Sequence, residues 1–350
     1  MNSKVILVDQ VVENVNDKNV KESGGHNRTY METIGSIEDT LCYDCPEKFP
    51  HMVKKPYKGY ITRKNYFNNI PKGEGICYLN YDSIYLVPQL VKKLTRRFKF
   101  SVAVLHWFPR KKMQHLFLKE SSKCFNCIVV HSEFIKKELN SIGINNVQVI
   151  DYPCFCKINV NDLSYEKKVY RKKFLCLGAS RIDKGYDVLA DSFSYLDENT
   201  KNMCEFVIAG KEQDISYDMI KNKAKENGVN INIVDDVISD EDYWKYILEA
   251  DIVLLPYKKI FSGNSGPMTD GIYANRYILG PDKGNIGYLI NKYNLGSTFE
   301  IENSKSLAAE ISKISVSDTT CNHSYKEKLE VSSFIQSYKE LFEKLKRSDK

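Results

Sequence analysis

The sequence has no long hydrophobic run. None of its 350 residues lies in an apolar stretch that approaches the roughly 18 residues needed to cross a bilayer as a helix. The opening stretch, MNSKVILVDQ, has one lysine and an apolar segment that is too short for a secretory signal and continues directly into polar sequence. We therefore read that segment as a first β-strand and expect a cytoplasmic protein.

The sequence also lacks a strong excess of charge of one sign. Its 51 basic and 45 acidic residues give a net charge of +6, which is too mild to indicate nucleic-acid binding by itself. Basic residues nevertheless cluster between Lys92 and Lys112, with aromatic and aliphatic side chains interleaved. Such a segment suits anionic lipid headgroups and extends the expected location to the inner face of the cell membrane. A solvated helix face beside a core strand explains the pattern equally well.

The ten cysteines include two C-x-x-C pairs, Cys42 with Cys45 and Cys124 with Cys127. Two such pairs can form a zinc site when the fold brings them together. Here a long stretch of chain separates the pairs, and the second one runs into the apolar segment CIVV. We therefore interpret the cysteines as free thiols, several of them buried, and expect no zinc.

Short apolar runs alternate with amphipathic segments along the whole chain. The runs are KVILVD, GICYLNY, FSVAVLHWF, CIVVHS and NVQVIDYP in the first half, and KFLCLGAS, CEFVIAG, NINIVDD and DIVLLPY in the second. This alternation is typical of parallel sheets covered by helices. It predicts two α/β domains, each with a doubly wound parallel sheet, and a ligand cleft between them.

A polar, charged segment without periodicity separates the two halves. We place the N-terminal domain at residues 1–156, the linker at 157–173 and the second domain at 174–325. Residues 326–350 contain an apolar stripe at helical spacing, which needs a surface to pack against. We expect this C-terminal helix to return to the N-terminal domain.

The loop FSGNSGPMTDG, Phe261–Gly271, follows the last apolar run and precedes IYANRYIL, which we read as helical. Its small residues allow close approach of the backbone, and a helix N-terminus offers unpaired N–H groups and a partial positive charge. Such a loop can bind a phosphate. An ordinary loop between a strand and a helix, which binds no phosphate, can have the same sequence pattern.

Several segments, taken in order, resemble the family 4 glycosyltransferases, which have the GT-B fold of two Rossmann-like domains facing a central cleft. They are GASRIDKGYDVLADSF, FVIAGK, EADIVLLPY and SGNSGPMTDG in the second half, and more weakly ESGGHNRTY, VAVLHWF and CIVVHSEFIKKEL in the first. The resemblance implies transfer of a sugar, with retention, from a UDP- or GDP-sugar to a hydroxyl of a glycan or lipid-linked glycan. It also implies a role in the synthesis of a bacterial-type surface polysaccharide or glycolipid.

Arg181 and Lys184 follow the strand KFLCLG, where their charged groups can reach a ligand. A diphosphate held out of water needs fixed cations or amides, and an arginine and a lysine supply such cations. The resemblance makes Asp270 the contact of the ribose hydroxyls and Val237 the backbone contact of the base. The remaining donor-binding candidates are small residues of the loop: Ser262, Gly263, Asn264, Ser265 and Gly266.

In the first half, His106 resembles the histidine of this family that faces the donor sugar. Taken alone, a single histidine is more often a structural hydrogen-bonding residue. Gly24 and Gly25 resemble the glycine loop that covers the diphosphate. No Asp-x-Asp triplet suited to a metal lies in the expected place, and cations with loop amides can neutralise the leaving group. We therefore expect no metal and no further cofactor.

Ser262 departs from the family pattern, which has a glutamate at this position. A serine can hydrogen-bond a sugar hydroxyl but carries no charge at pH 7. This departure leaves open a catalytically inert GT-B-shaped subunit that partners another glycosyltransferase. A nucleotide-sugar epimerase on the same architecture is a third reading.

Overall fold

The computed structural model describes residues 4–9, 25–44, 56–81, 84–156 and 171–348. The chain divides into two compact units, one formed by Met1–Phe155 with Glu330–Lys350 and the other by Cys156–Leu329. Each unit contains one six-stranded parallel sheet with helices beside it. The predicted α/β class, with two parallel sheets of the Rossmann type, is therefore confirmed. Most of the predicted linker lies outside the described residues.

The sheet of the first unit has the strand order β2-β1-β3-β4-β5-β6. Its strands are β1 Val5–Asp9, β2 Thr40–Asp44, β3 Gly75–Tyr78, β4 Phe100–Val104, β5 Cys127–Val130 and β6 Val147–Val149. Val5 of β1 is in register with Thr40 on one side and with Gly75 on the other. The order of the strands therefore reverses between β1 and β3. The helices between them are α1 Gly25–Gly35, α2 Pro56–Asn69, α3 Pro88–Thr95, α4 Lys112–Ser122 and α5 Glu133–Ser141.

The sheet of the second unit has the strand order β12-β11-β10-β7-β8-β9. Its strands are β7 Lys172–Leu177, β8 Cys204–Ala209, β9 Ile231–Val234, β10 Ile252–Leu254, β11 Tyr277–Pro281 and β12 Gly296–Phe299. Its helices are α6 Tyr186–Ser192, α7 Glu198–Met203, α8 Tyr217–Glu226, α9 Asp240–Glu249, α10 Gly266–Tyr273, α11 Gly284–Tyr293 and α12 Ser304–Ser315. Phe174 of β7 is in register with Ile252 of β10 and with Phe206 of β8. The order therefore reverses between β7 and β10.

The last helix, α13 Val331–Arg347, belongs to the first unit. Its apolar stripe is buried in the same cluster as Val5 and Leu7 of β1 and Tyr30 of α1. The stripe consists of Phe334, Tyr338, Leu341 and Phe342. A strongly amphipathic helix needs such a partner, because its apolar face gains free energy only when another element covers it.

Helix ends in the second unit follow the local sequence. Ser239 caps α9 by accepting a hydrogen bond from the backbone N–H of Asp242, and acidic residues occupy the first turn. Both features stabilise a helix N-terminus. Gly228, with φ +65°, follows the end of α8 as a glycine stop.

One predicted helix is wrong in its second half. The stretch IYANRYIL is helical only to Tyr273, where α10 ends, and β11 begins at Tyr277. The residues YIL pair in parallel with β10 and β12, so long-range strand pairing determines their conformation. The prediction missed β2, β11 and β12. Of the described residues in the amphipathic stretch SIYLVPQLVKKLTRRF, only Pro88–Thr95 form a helix, α3, since proline suits the first helical turn.

Among the helices that the structure describes, none combines the length and the apolar character needed to cross a membrane.

Candidate functional site

Two loops leave the carboxyl ends of β7 and β10, the neighbouring strands between which the strand order reverses. Ligands of open α/β sheets bind at such a point. The first loop carries Arg181 and Lys184, and the second leads from β10 to α10. The loops are joined by a hydrogen bond of 3.0 Å from the backbone N–H of Lys258 to the carbonyl of Asp183. The two predicted segments are therefore brought together.

Gly185 is the position where the two loops meet most closely. Its φ is +67°, and a Cβ atom there would lie 1.9 Å from the carbonyl oxygen of Pro256. A side chain is excluded both by this contact and by the left-handed backbone conformation. The glycine therefore fixes the preceding residue, Lys184, beneath the second loop.

Lys184 is buried, with 7 % of its surface exposed. Its ammonium group hydrogen-bonds the hydroxyl of Tyr257 and lies 4.0 Å from the centre of that ring. The pKa of Lys184 is lowered to about 7, mainly by burial and also by the positive charge of Arg181, while Asp183 acts in the opposite direction. A buried cation whose charged form is destabilised is typical of a site that receives an anion.

Arg181 is held differently. Its guanidinium forms two hydrogen bonds with the carboxylate of Asp183, Nε to Oδ1 at 3.0 Å and Nη2 to Oδ2 at 2.8 Å. These bonds raise the pKa of Arg181. The guanidinium therefore already has a counter-ion, and a phosphate would share it with Asp183 or replace that carboxylate.

The start of α10 is organised by side chains. The hydroxyl of Ser265 accepts a hydrogen bond from the backbone N–H of Met268 at 3.3 Å and lies 3.0 Å from the hydroxyl of Tyr257. Asn285, in the first turn of α11, donates to the side-chain oxygen of Asn264 at 3.1 Å and to the carbonyl of Gly263. The loop is therefore fixed from both sides before any ligand enters.

The two remaining candidates of the second unit lie on other elements. Asp270 is buried in α10 and accepts a hydrogen bond of 2.8 Å from the hydroxyl of Tyr243 in α9. Val237 follows β9 at the edge of the sheet, is 63 % exposed, and its backbone N–H donates to the side chain of Asp236 at 2.7 Å. Ser262, in the loop before α10, and Gly266, the first residue of α10, are partly exposed.

His106 follows β4 in the first unit. One of its ring nitrogens, Nε2, lies 2.8 Å from the carbonyl oxygen of Leu79. Because a carbonyl can only accept, Nε2 carries the hydrogen and Nδ1 is an acceptor in the neutral ring. Burial lowers the pKa of His106 to about 4, although the bond to Leu79 opposes this shift. The ring is therefore neutral at pH 7.

His106 belongs to a cluster of aromatic rings that connects α1, the end of β5 and α13. The ring of Tyr30 lies 5.3 Å from that of His106, and the hydroxyl of Tyr30 lies 2.6 Å from that of Tyr338. His131 bonds the carbonyl of Ile150 at 2.8 Å, and its pKa falls to about 3 through burial and the proximity of His106. The cluster holds the His106 ring through packing and neutral hydrogen bonds.

Several residues of these arrangements were missed by the sequence reasoning. Tyr257 is the last residue of DIVLLPY, and its position at a strand end was a usable signal. Tyr243, His131 and Tyr338 act through partners distant in sequence, so no local pattern marks them. Gly24 lies outside the described residues, and Gly25 begins α1.

Three of the four cysteines in the two C-x-x-C pairs lie in the described residues. Cys42, Cys124 and Cys127 are free thiols, and Cys45 lies outside the described residues. In the ranges that the structure describes, no group of three or more histidine, cysteine, aspartate or glutamate residues could hold a metal ion.

Comparison with known proteins agrees with this geometry. Residues 161–329 match the family model described as glycosyl transferases group 1. An E. coli trehalose-6-phosphate structure bound with UDP-2-fluoro glucose superimposes with a TM-score of 0.69 at 9 % identity, covering 99 % of both chains. HepE from Anabaena, in complex with UDP and glucose, gives 0.67 at 10 % identity, covering 98 % of this chain and 100 % of that one. A glycosyltransferase from Rickettsia africae gives 0.67 at 14 % identity, covering 99 % and 100 %. No curated protein matches the sequence.

The two six-stranded parallel sheets and these superpositions show that the chain has the GT-B fold. Within it, residues 161–329 are similar to the glycosyl transferases of group 1. This matched segment contains β7, β10 and both loops of the candidate site.

Proposed function

We propose that the protein transfers a sugar from a nucleotide-diphosphate sugar, UDP- or GDP-linked, to a hydroxyl of a glycan or lipid-linked glycan. The observation that carries this proposal is the buried ammonium of Lys184 at the reversal of the strand order, beside the start of α10. The E. coli and Anabaena structures contain UDP-2-fluoro glucose and UDP with glucose, which supports a donor of this type.

The diphosphate is proposed to bind between Lys184, Arg181 and the N-terminus of α10. Lys184 supplies a point charge, while Arg181 can bind two phosphate oxygens at once. Backbone N–H groups of residues 264–266 complete the arrangement, as is common for phosphates at helix starts. Asp270 and Val237 remain the proposed contacts of the ribose and the base, and Ser262 and Gly263 remain proposed donor-binding residues.

The proposed reaction breaks the bond between the anomeric carbon and the phosphate oxygen of the donor. The electron pair goes to the diphosphate, where Lys184 and Arg181 stabilise it. A hydroxyl of the acceptor forms the new bond to the anomeric carbon and passes its proton to the departing diphosphate oxygen. We propose that this occurs with retention and without a metal. His106 is the proposed contact of the donor sugar, and Gly24 and Gly25 are the proposed cover of the diphosphate.

Calorimetric titration with UDP, GDP and their sugar conjugates tests the donor. We expect one of the two nucleotides to bind, and Arg181→Ala to weaken it by about 1–3 kcal/mol through the loss of charge-assisted hydrogen bonds. Lys313→Ala, which removes an exposed cation of α12, is the matched control and should bind as the wild type does. Absence of binding of both nucleotides at millimolar concentration would contradict the proposal.

Ser262 favours a second candidate, a catalytically inert GT-B-shaped subunit that binds another glycosyltransferase. This candidate predicts that the purified protein leaves every UDP- and GDP-sugar intact. Slow hydrolysis of a donor by the protein alone would exclude it, whereas nucleotide binding without any turnover would favour it.

We further propose that the acceptor lies at an anionic membrane surface. Helix α4 and the residues before it expose several large apolar side chains, among them Met113 at 70 % and Leu116 at 66 %. Trp107 and Phe117 are exposed beside them, and Arg110, Lys111 and Lys112 add positive charge. Exposed apolar side chains next to cations suit the headgroup region of such a membrane. Leu94 and Phe98 of the same predicted segment are buried, which limits this surface to residues 107–117.

Flotation with vesicles tests this surface. We expect binding to vesicles that contain phosphatidylglycerol at low salt, weaker binding at high salt, and loss of binding in the double variant Met113→Ser, Leu116→Ser. Tyr195→Ser removes an exposed aromatic side chain of the second unit and should float like the wild type. Equal flotation of the wild type and the double variant would favour a solvated helix face instead.

A further inference from the structure

We infer that Tyr257 is a positioning residue that holds the ammonium of Lys184 ready for the diphosphate and connects it to the N-terminus of α10. The inference rests on the proposed function, because it assigns a role within the same site. It adds a residue for which neither the sequence reasoning nor the comparisons suggested a role.

The first argument is the position of the phenol ring. Tyr257 is 1 % exposed and lies three positions after the end of β10, beside the loop that carries Lys184. The Lys184 ammonium lies 4.0 Å from the centre of its ring and 5.7 Å from that of Phe261. A cation over the face of an aromatic ring is attracted by the negative charge of that face. The two rings therefore hold the ammonium in a place where little water can reach it.

The second argument is the direction of the hydrogen bonds. An ammonium has only hydrogens to offer, so the oxygen of Tyr257 accepts from Lys184. The single hydrogen of the Tyr257 hydroxyl then goes to the oxygen of Ser265, 3.0 Å away. The same oxygen accepts the backbone N–H of Met268. One phenol therefore connects the buried cation with the residue that caps α10.

The third argument is the charge around Lys184. The groups that face it are Arg181 and Asp183 on its own loop, Cys176 on β7, and Tyr257 on the second loop. Burial raises the pKa of both the Cys176 thiol and the Tyr257 phenol, so these two groups stay neutral. The carboxylate of Asp183 is bonded to Arg181. The neutral phenol is therefore the group that accepts a hydrogen bond from the ammonium, while Asp183 favours the charged form without such a bond.

The consequence is a dependence on pH. Lys184 has a pKa of about 7 because of its burial, and the acceptor oxygen of Tyr257 favours its charged form. Removal of that oxygen lowers the pKa of Lys184 further. The ammonium then loses its proton at a lower pH, and a neutral amine attracts a diphosphate less. The loss of affinity is therefore larger in alkaline solution than in acidic solution.

Titration calorimetry with UDP and GDP at about pH 6 and about pH 8.5 tests the inference on three variants. Tyr257→Phe keeps the ring and removes the hydroxyl, and we expect it to weaken binding about 3-fold at the lower pH and about 10-fold or more at the higher one. Tyr257→Leu removes the ring as well and should bind more weakly than Tyr257→Phe at both values. Tyr195→Phe removes the hydroxyl of an exposed tyrosine and should match the wild type throughout.

The outcomes separate the two proposals. A wild type that binds neither UDP nor GDP contradicts the proposed function, and this inference with it. A wild type that binds, together with a Tyr257→Phe variant of equal affinity and equal pH dependence, overturns the inference alone. An equal loss of affinity at both pH values also overturns it, because it indicates a purely structural role. Should the buried substitution prevent folding, Ser265→Ala tests the same connection, with an expected loss of about 3-fold; unchanged affinity in that variant overturns the inference.

Discussion

Lys184→Met is expected to stabilise the second unit and to abolish nucleotide binding. An unfolded lysine has a pKa near 10.5, whereas in the folded protein burial lowers that of Lys184 to about 7. Between these values the unfolded chain binds a proton that the folded chain does not, so the unfolding free energy of the wild type rises with pH. Methionine has no charge, so it removes the free-energy cost of burying the lysine ammonium, and it fills a similar volume. We expect a gain of about 1–3 kcal/mol in unfolding free energy near pH 7, together with a loss of UDP or GDP affinity of about 100-fold.

Thermal unfolding between pH 7 and pH 10 measures the first effect, and titration calorimetry measures the second. The stability gain should shrink as the pH rises, because the wild type loses its buried charge in this range. Lys184→Arg is the control, since arginine keeps a buried charge at every pH used: it should show no gain in stability near pH 7 and should become less stable than the wild type as the pH rises. A Lys184→Met variant that is less stable than the wild type, or that binds nucleotide normally, contradicts the assigned role.

His106→Ala is expected to lower turnover by about 100-fold or more while UDP or GDP affinity remains unchanged. The imidazole lies in the first unit, whereas the cations and the α10 loop lie in the second. Because burial lowers the pKa of His106 to about 4, the ring acts as a neutral hydrogen-bonding group. The rate of the wild type should therefore show no ionisation of this histidine between pH 5.5 and 7.5.

Donor hydrolysis or transfer, followed across this pH range, measures the turnover. His106→Asn retains a polar side chain that can donate to the carbonyl of Leu79 and should recover part of the rate. The control is His115→Gln, which alters a histidine that bonds the carbonyl of Pro109 on the exposed segment before α4. Two results would refute this assignment. One is an unchanged turnover in His106→Ala. The other is a wild-type rate that depends on an ionisation with a pKa near 6.5, when this dependence is absent from His106→Ala.

The sequence predicts the parts of the fold that depend on local patterns. The strands β1 and β8 are short apolar runs rich in β-branched and aromatic residues, so the sequence already favours the strand conformation that pairing completes. Ser239 and Gly228 mark helix ends through their own chemistry. In contrast, β11 is an apolar run that could belong to either a helix or a strand. Its pairing with β10 and β12 determines that it is a strand. The strand β12, GSTF, has too few apolar residues to be recognised alone.

The candidate site also has features that the sequence predicts and features that only the folded structure shows. The residue types and the position of Arg181 and Lys184 after a strand predict a cationic pair. The pair of Arg181 with Asp183 is local and could have been expected, since only one residue lies between them in the sequence. The burial of Lys184 could not have been expected, because Tyr257, which contacts its ammonium group, is 73 positions away in sequence. The bond between Tyr30 and Tyr338 spans 308 positions, so only the folded structure brings the two hydroxyls together.

The place of α13 in the first unit has a consequence for the order in which the chain folds during synthesis. The ribosome completes Cys156–Leu329 before it makes the final helix. The second unit can therefore close while the core around Val5, Leu7 and Tyr30 still has an uncovered apolar face. The emergence of α13 then completes the core of the first unit, so a chain that stops before α13 leaves that core uncovered.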